Sequence, residues 1–178
     1  LIQLFKCCIA KKDLALAEHG YTVYLSNRLH HHAQLGCLLI RLFSSYGSLS
    51  RSYQVFDEMH DQNVYAWTTI ISAYVACGRA EEALGMRKDM HLDGVEPNSY
   101  TFVSFVKACG ISRVLDVGAD IDTIIREKGL LKKDLLLGSS LISMYANCGA
   151  IEKARQVFGE LPVRDVVAWT ALVDGYVQ

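Results

Sequence analysis

The sequence predicts an all-α protein, a superhelical solenoid of tandem helical hairpins. Two observations predict it. The chain matches itself at an offset of 102 residues, and the unit so defined divides into three segments built on one skeleton. Repetition of this kind signals stacking, because a small unit cannot bury its apolar face alone and must lean on its neighbours.

Segment 135–165, LLLGSSLISMYANCGAIEKARQVFGELPVRD, aligns without a gap on segment 33–63, AQLGCLLIRLFSSYGSLSRSYQVFDEMHDQN. Leu141–Ile142 fall on Leu39–Ile40, Gly149 on Gly47, and Gln156, Val157 and Phe158 on Gln54, Val55 and Phe56. The match continues as VVAWTALVDGYV from Val166 falls on VYAWTTIISAYV from Val64.

Within the unit, segments 33–63, 64–98 and 99–134 hold 31, 35 and 36 residues. Each opens with a first helix. Large apolar residues come at places seven and eight (Leu39–Ile40, Ile70–Ile71, Phe105–Val106, Leu141–Ile142), and Phe43, Tyr74, Cys109 and Tyr145 follow at place eleven. Spacings of three and four put these on one helical face. Gly47, Gly78 and Gly149 at place fifteen end that helix and turn the chain. A second helix follows, rich in Glu, Ala, Leu and Lys, as in 80–93. Its small residue at place twenty (Ser52, Ala83, Gly118, Ala154) lets the two helices approach closely.

Composition agrees with a folded helical protein. The chain is 51% apolar and 21% charged and has two prolines. Its net charge of −1 is not that of a generic nucleic-acid binder, so any such contact must rest on particular groups. The six cysteines include Cys7 and Cys8 side by side but no C-x-x-C pair, which predicts reduced, buried thiols and no zinc site. His30, His31 and His32 cannot all converge on one ion from a helix or strand, so they are expected in a polar connection. The uncharged stretches 62–78 and 135–151, 17 residues each, fall short of a membrane span and predict no anchor. Leu1 is not an initiator, and the chain is expected to be a fragment or a trimmed product. No Gly-rich phosphate loop or nucleophile elbow is present, so an enzyme, a cofactor and a metal are not expected.

These segments resemble the pentatricopeptide repeat family, in its plant-type array of short, standard and long motifs. The short motif is matched by LISMYANCGAIEKARQVFGELPVRDVVAW, the standard motif by YAWTTIISAYVACGRAEEALGMRKDMHLDGVEPN, and the long motif by YTFVSFVKACGISRVLDVGADI. The resulting division is a partial long repeat at 1–32, a short repeat at 33–63, a standard repeat at 64–98, a long repeat at 99–134, a short repeat at 135–165 and the start of a standard repeat at 166–178. Tetratricopeptide repeats, which bind proteins, keep a constant period of about 34 residues and fit less well.

The resemblance implies a right-handed solenoid that binds single-stranded RNA, one base per repeat. It also implies that the fifth and last residues of a repeat face the base edge while the second stacks on the base. Thr68 with Asn98 is then expected to select adenine, since an amide offers both a donor and an acceptor. Ser139 with Asp165 is expected to select guanine, because a carboxylate accepts from that base's two neighbouring donors. Thr170 opens another purine-type repeat. Cys37 with Asn63 and Val103 with Asp134 depart from the pattern, and spacing or weak preference is expected there. The stacking positions are Gln34, Tyr65, Tyr100, Leu136 and Val167.

The same residues also bear a plainer reading. Asn98, Asp134 and Asp165 each precede an apolar-periodic run and suit helix N-caps worth about 1 kcal/mol. Thr68, Ser139 and Thr170 suit an ordinary helix surface. Plant members of this mixed-motif class often end in a cytidine deaminase-like domain, whose zinc signature is absent here. The resemblance therefore implies the address-reading part of a C-to-U editing or RNA-processing factor in a mitochondrion or chloroplast. The alternative is a scaffold that docks an RNA-editing accessory protein.

Overall fold

A computed structural model describes residues 14–177, which form ten α-helices and one 3-10 turn, with no strand among them. In chain order these are α1 (Leu14–Ser26), the 3-10 turn (Leu29–His31), α2 (Ala33–Ser45), α3 (Leu49–Asp57), α4 (Val64–Ala76), α5 (Ala80–Leu92), α6 (Ser99–Ser112), α7 (Leu115–Glu127), α8 (Leu135–Asn147), α9 (Ile151–Glu160) and α10 (Val166–Val177). The fold is all-α and built of helical hairpins. The expectations for Cys7, Cys8 and the opening of the 1–32 segment lie outside the described residues.

The chain divides into two compact units, Leu1–Arg79 with Lys88–Glu96, and Ala80–Arg87 with Pro97–Gln178. In the first, α2 packs against α3 as a hairpin and lies beside α4, with α1 on the other side of α2. In the second, α6 pairs with α7 and α8 with α9, while α8 touches both α6 and α10. First helices thus form one layer within each unit, backed by second helices.

The residues at places seven and eight anchor this arrangement. Leu39, Ile40, Ile70, Ile71, Phe105, Val106, Leu141 and Ile142 are all fully buried. Each such side chain is worth about 1.5–3 kcal/mol on burial. Place twenty is where the helices of a hairpin meet. Ser52 there is buried and donates its hydroxyl to the Ile40 carbonyl at 3.1 Å, so the polar group is satisfied inside the core. At Gly118 an added Cβ would lie 3.5 Å from the Cys109 Cβ of the same hairpin and 2.6 Å from the Met144 sulfur on α8, the first helix of the next repeat.

First helices end alike. Gly47, Gly78 and Gly149 have φ of 74°, 75° and 74°, and the N–H one residue on reaches back to the carbonyls of Phe43, Tyr74 and Tyr145. This is the glycine-ended cap that satisfies the orphan carbonyls of a terminating helix. In the long repeat Arg113 holds the same place with φ 53°, and Val114 N–H bonds to the Cys109 carbonyl. A residue with a Cβ is strained there.

The second helices of the two short repeats end by another device. Gln62 donates its amide to the Phe56 carbonyl at 3.0 Å, and Arg164, 102 residues on, donates Nε to the Phe158 carbonyl at 3.1 Å. A side chain replaces the glycine turn.

Polar links join each short repeat to the second helix before it. In the first unit the Tyr21 hydroxyl donates to Glu58 at 2.8 Å, and Arg51 lies over the Tyr21 ring at 5.5 Å and pairs with Glu18 at 3.3 Å. In the second unit, Glu160 occupies the place of Glu58 and bonds Arg126. Arg126 Nε also donates to Asp122 at 2.9 Å, and the Tyr145 hydroxyl donates to the other Asp122 oxygen at 2.8 Å. Asp122 is 6% exposed, and a carboxylate so enclosed is tolerated because both oxygens are hydrogen-bonded. Burial, with the Asp122 hydrogen bond, pushes the Tyr145 phenol well above its ordinary range. Arg126 holds the Glu160 carboxyl below its own.

The thiols depart from the expectation of burial. Of the four described cysteines, Cys109 is buried while Cys37, Cys77 and Cys148 are only half-buried. The last two sit at the helix ends, where Cys77 approaches the Ser44 carbonyl at 3.5 Å and Cys148 the Cys109 carbonyl at 3.8 Å, away from the centre of the helix pair. The histidines His30 and His31 lie in the 3-10 turn, with the His31 ring edge-on to His60 at 4.5 Å. Among the described residues no group of three or more His, Cys, Asp or Glu is arranged to hold a metal ion, and no helix is long and apolar enough to cross a membrane.

Candidate nucleic-acid interface

The first helices α2, α4, α6, α8 and α10 begin at Ala33, Val64, Ser99, Leu135 and Val166, the residues from which places are counted. On an α-helix places two, five and nine are spaced by three and four and share a face. That face carries every sequence-predicted contact except the last residue of each repeat.

Place two is exposed throughout: Gln34, Tyr65, Tyr100, Leu136 and Val167. Tyr65 is 70% exposed and Tyr100 66%. A solvent-facing tyrosine on an otherwise apolar helix leaves its ring face available for stacking.

Place five is more varied. Thr68 is half-buried and Thr170 exposed, and each donates its hydroxyl back along its own helix, to the Val64 carbonyl at 2.7 Å and the Val166 carbonyl at 2.8 Å. At Thr170 a hydroxyl bonded this way retains lone pairs to accept with. Ser139 is 3% exposed and donates to the Leu135 and Leu136 carbonyls, both at 3.1 Å. Val103 is 6% exposed. Cys37 is half-buried, and burial raises its thiol. Enclosure at place five therefore does not follow the departures, since Ser139 is buried as Val103 is.

The last residues are all N-caps. Asn63 Oδ1 accepts from the N–H of Tyr65 at 3.0 Å and of Ala66 at 3.2 Å. Asn98 Oδ1 accepts from Thr101 N–H at 2.9 Å, and Thr101 Oγ1 accepts in return from Asn98 N–H at 3.3 Å. Asp134 Oδ1 takes the N–H of Leu136 and Leu137, and Asp165 Oδ1 that of Ala168 at 2.8 Å. Capping uses a single atom of each side chain. Asn98 Nδ2 and the Oδ2 atoms of Asp134 and Asp165 make no hydrogen bond among the described residues, whereas Asn63 Nδ2 donates to Asp61 at 2.9 Å. At Asn98, Asp134 and Asp165, one side-chain atom thus starts the helix while the other is not used by the cap.

Beside α2 and α4, a cleft of about 330 Å³ is lined by Arg41, Ser44, Thr68, Thr69, Ser72, Ala73 and Ala76. Arg41 was not singled out from the sequence. The signal that finds it is the distribution of charge over the first helices, which is confined to place nine: Arg41, Lys107 and Asp174.

Comparison with known proteins gives concordant results. A model described as the PPR repeat family matches residues 62–110, and one described as a PPR repeat matches 37–64 and 139–166. Together these segments cover more than half of the chain. A chloroplastic pentatricopeptide repeat-containing protein of Arabidopsis thaliana is 30% identical over the whole chain, which spans 29% of that protein. A second from the same plant is 36% identical over 93% of the chain, again 29% of the relative's length. A mitochondrial one is 34% identical over 98% of the chain and 17% of its own length. The chain thus spans less than a third of each of these relatives.

Proposed function

Because this chain belongs to the pentatricopeptide repeat family, we propose that it binds single-stranded RNA with sequence preference, one base per repeat. The observation that carries this reading is the exposed stripe at place two beside the capping residues Asn98, Asp134 and Asp165, each of which keeps a polar atom that the cap does not use. Bases stack on Tyr65 and Tyr100, and a polar edge is offered where the next helix starts. Thr68 and Asn98 read adenine, Ser139 and Asp165 read guanine, and Thr170 opens a purine-type repeat. Cys37 with Asn63 and Val103 with Asp134 act as spacers. The alternation of short, standard and long motifs and the organelle names of the relatives support a role in mitochondrial or chloroplast RNA metabolism, as the address-reading part of an editing or processing factor.

A second reading draws on Val103, which is enclosed and has no polar side-chain atom. A long repeat that cannot read a base is free to dock an accessory protein of RNA editing.

Selection from a random single-stranded RNA pool tests the first reading, using the wild type and Asn98→Asp. Enrichment of an adenine two nucleotides 5′ of a guanine, converting to guanine at the first position in the variant, is the expected result. Recovery of no motif by a folded wild type at low salt would overturn it and favour the docking scaffold.

A further inference from the structure

We propose, resting on the RNA reading, that Arg41 and Lys107 each hold a backbone phosphate of the bound strand, one in each compact unit. The argument begins with where charge is absent. Helices α2, α4, α6, α8 and α10 contain three charged residues in all, and each stands at place nine of its repeat. Arg41 and Lys107 are the cations, Ser72 and Ser143 fill the same place in the repeats that follow each of them, and Asp174 puts a carboxylate there on α10, where no phosphate contact is assigned. Place nine continues the stripe of places two and five, one helical turn further on. A cation there stands beside the base-edge residue of its own repeat.

Local structure suits the assignment. Arg41 and Lys107 are exposed, and no carboxylate among the described residues pairs with either. Arg41 opens onto the cleft that also holds the side chains of Ser44, Thr68, Thr69 and Ser72. A guanidinium fork flanked by hydroxyls matches a phosphate's tetrahedral oxygens. On second helices, by contrast, several cations face carboxylates, Arg51 with Glu18, Arg126 with Asp122 and Glu160, and Arg155 with Glu152, while Lys153 lies over the Tyr145 ring. With a net charge of −1, the chain has no bulk attraction for RNA. Its electrostatic share of affinity must come from unpaired cations on the binding face.

Salt dependence of RNA affinity tests this. Each phosphate contact to a single strand contributes about 0.7 to the slope of log K against log salt. Arg41→Gln and Lys107→Gln should each lower that slope by about 0.7, and the double variant by about 1.4, with the selected base motif unchanged. Arg41→Lys should keep the slope. Arg155→Gln, which removes one charge from α9, should leave it as in the wild type. Unchanged slopes in both the Arg41 and the Lys107 variant, in a protein that still selects its motif, would overturn the phosphate assignment and leave the RNA reading standing. An equal loss in Arg155→Gln would also overturn it, since net charge alone would then explain the effect. A wild type that binds no single-stranded RNA would fail at the earlier step and take both readings with it.

Discussion

Asn98 and Thr101 cap one helix reciprocally: the Asn98 side chain accepts the Thr101 N–H at 2.9 Å, and the Thr101 hydroxyl oxygen accepts the Asn98 N–H at 3.3 Å. Asparagine and aspartate are nearly equal as N-caps, and alanine is worse by about 1 kcal/mol. Asn98→Asp should leave the urea unfolding free energy unchanged within about 0.5 kcal/mol, and Asn98→Ala should lower it by about 1 kcal/mol. The aspartate variant should nevertheless change the base preference, because Nδ2 becomes an acceptor. Equal loss of stability in both variants would mean that the cap geometry is not as described.

The enclosed carboxylate of Asp122 serves Arg126 and Tyr145 together. Asp122→Ala removes both acceptors and strands the Tyr145 hydroxyl. Arg126 is about a third exposed and can turn to water, so the expected loss is near that of one unsatisfied buried group, about 1–3 kcal/mol. Denaturant titration measures it, and a Tyr145→Phe, Asp122→Ala cycle should show coupling between the two sites.

Acid should weaken the Arg126–Glu160 link. Arg126 depresses the Glu160 carboxyl in the folded state. A depressed carboxylate contributes stability that is fully present above its unfolded value, about 4.3, and is lost as pH falls through the lower folded value. Glu160 is partly exposed, so screening limits the effect to under about 1 kcal/mol. Below about pH 4.5, Glu160→Gln should show a shallower fall of melting temperature than the wild type.

Arg113→Gly should stabilise the protein. Arg113 is held at φ 53°, where the other repeats of known turn geometry use glycine. Release of that strain is worth about 1 kcal/mol, less the greater chain freedom of glycine when unfolded. A raised melting temperature at unchanged helicity is the expected outcome.

Burial raises the Cys109 thiol to about 11, with the neighbouring Cys148 adding to the shift. An alkylating reagent at pH 8 should therefore modify half-buried Cys77 and leave Cys109 untouched until the protein unfolds. Mass spectrometry of peptides from the folded and unfolded states reads this directly.

Much of this architecture was legible in the sequence because helical period is a local property. Leu39–Ile40, and their counterparts in the other repeats, could be assigned to the core from spacing alone. Gly47, Gly78 and Gly149 marked their turns because few other residues adopt that backbone without strain. Arg113 hid a fourth turn for the same reason. Enclosure was not legible. Thr68 and Ser139 share a place, yet one is half-buried and the other 3% exposed, because burial depends on how closely neighbouring helices lie. The Arg126–Glu160 contact spans 34 residues and depends on the register between repeats, which no local pattern encodes. The charges at place nine were in plain view but emerge only when the first helices are aligned with one another.

The double duty of the capping residues has a consequence for how such a protein could change over generations. Under the RNA reading, the residue that selects adenine or guanine comes from a set already limited by helix initiation. Asparagine and aspartate codons differ by one nucleotide. A drift in the target could therefore be answered by a single mutation with no unstable intermediate, whereas an apolar replacement would be removed for misfolding before its binding mattered. The requirement for a stable helix start thus keeps the recognition alphabet small and its two letters within one step of each other.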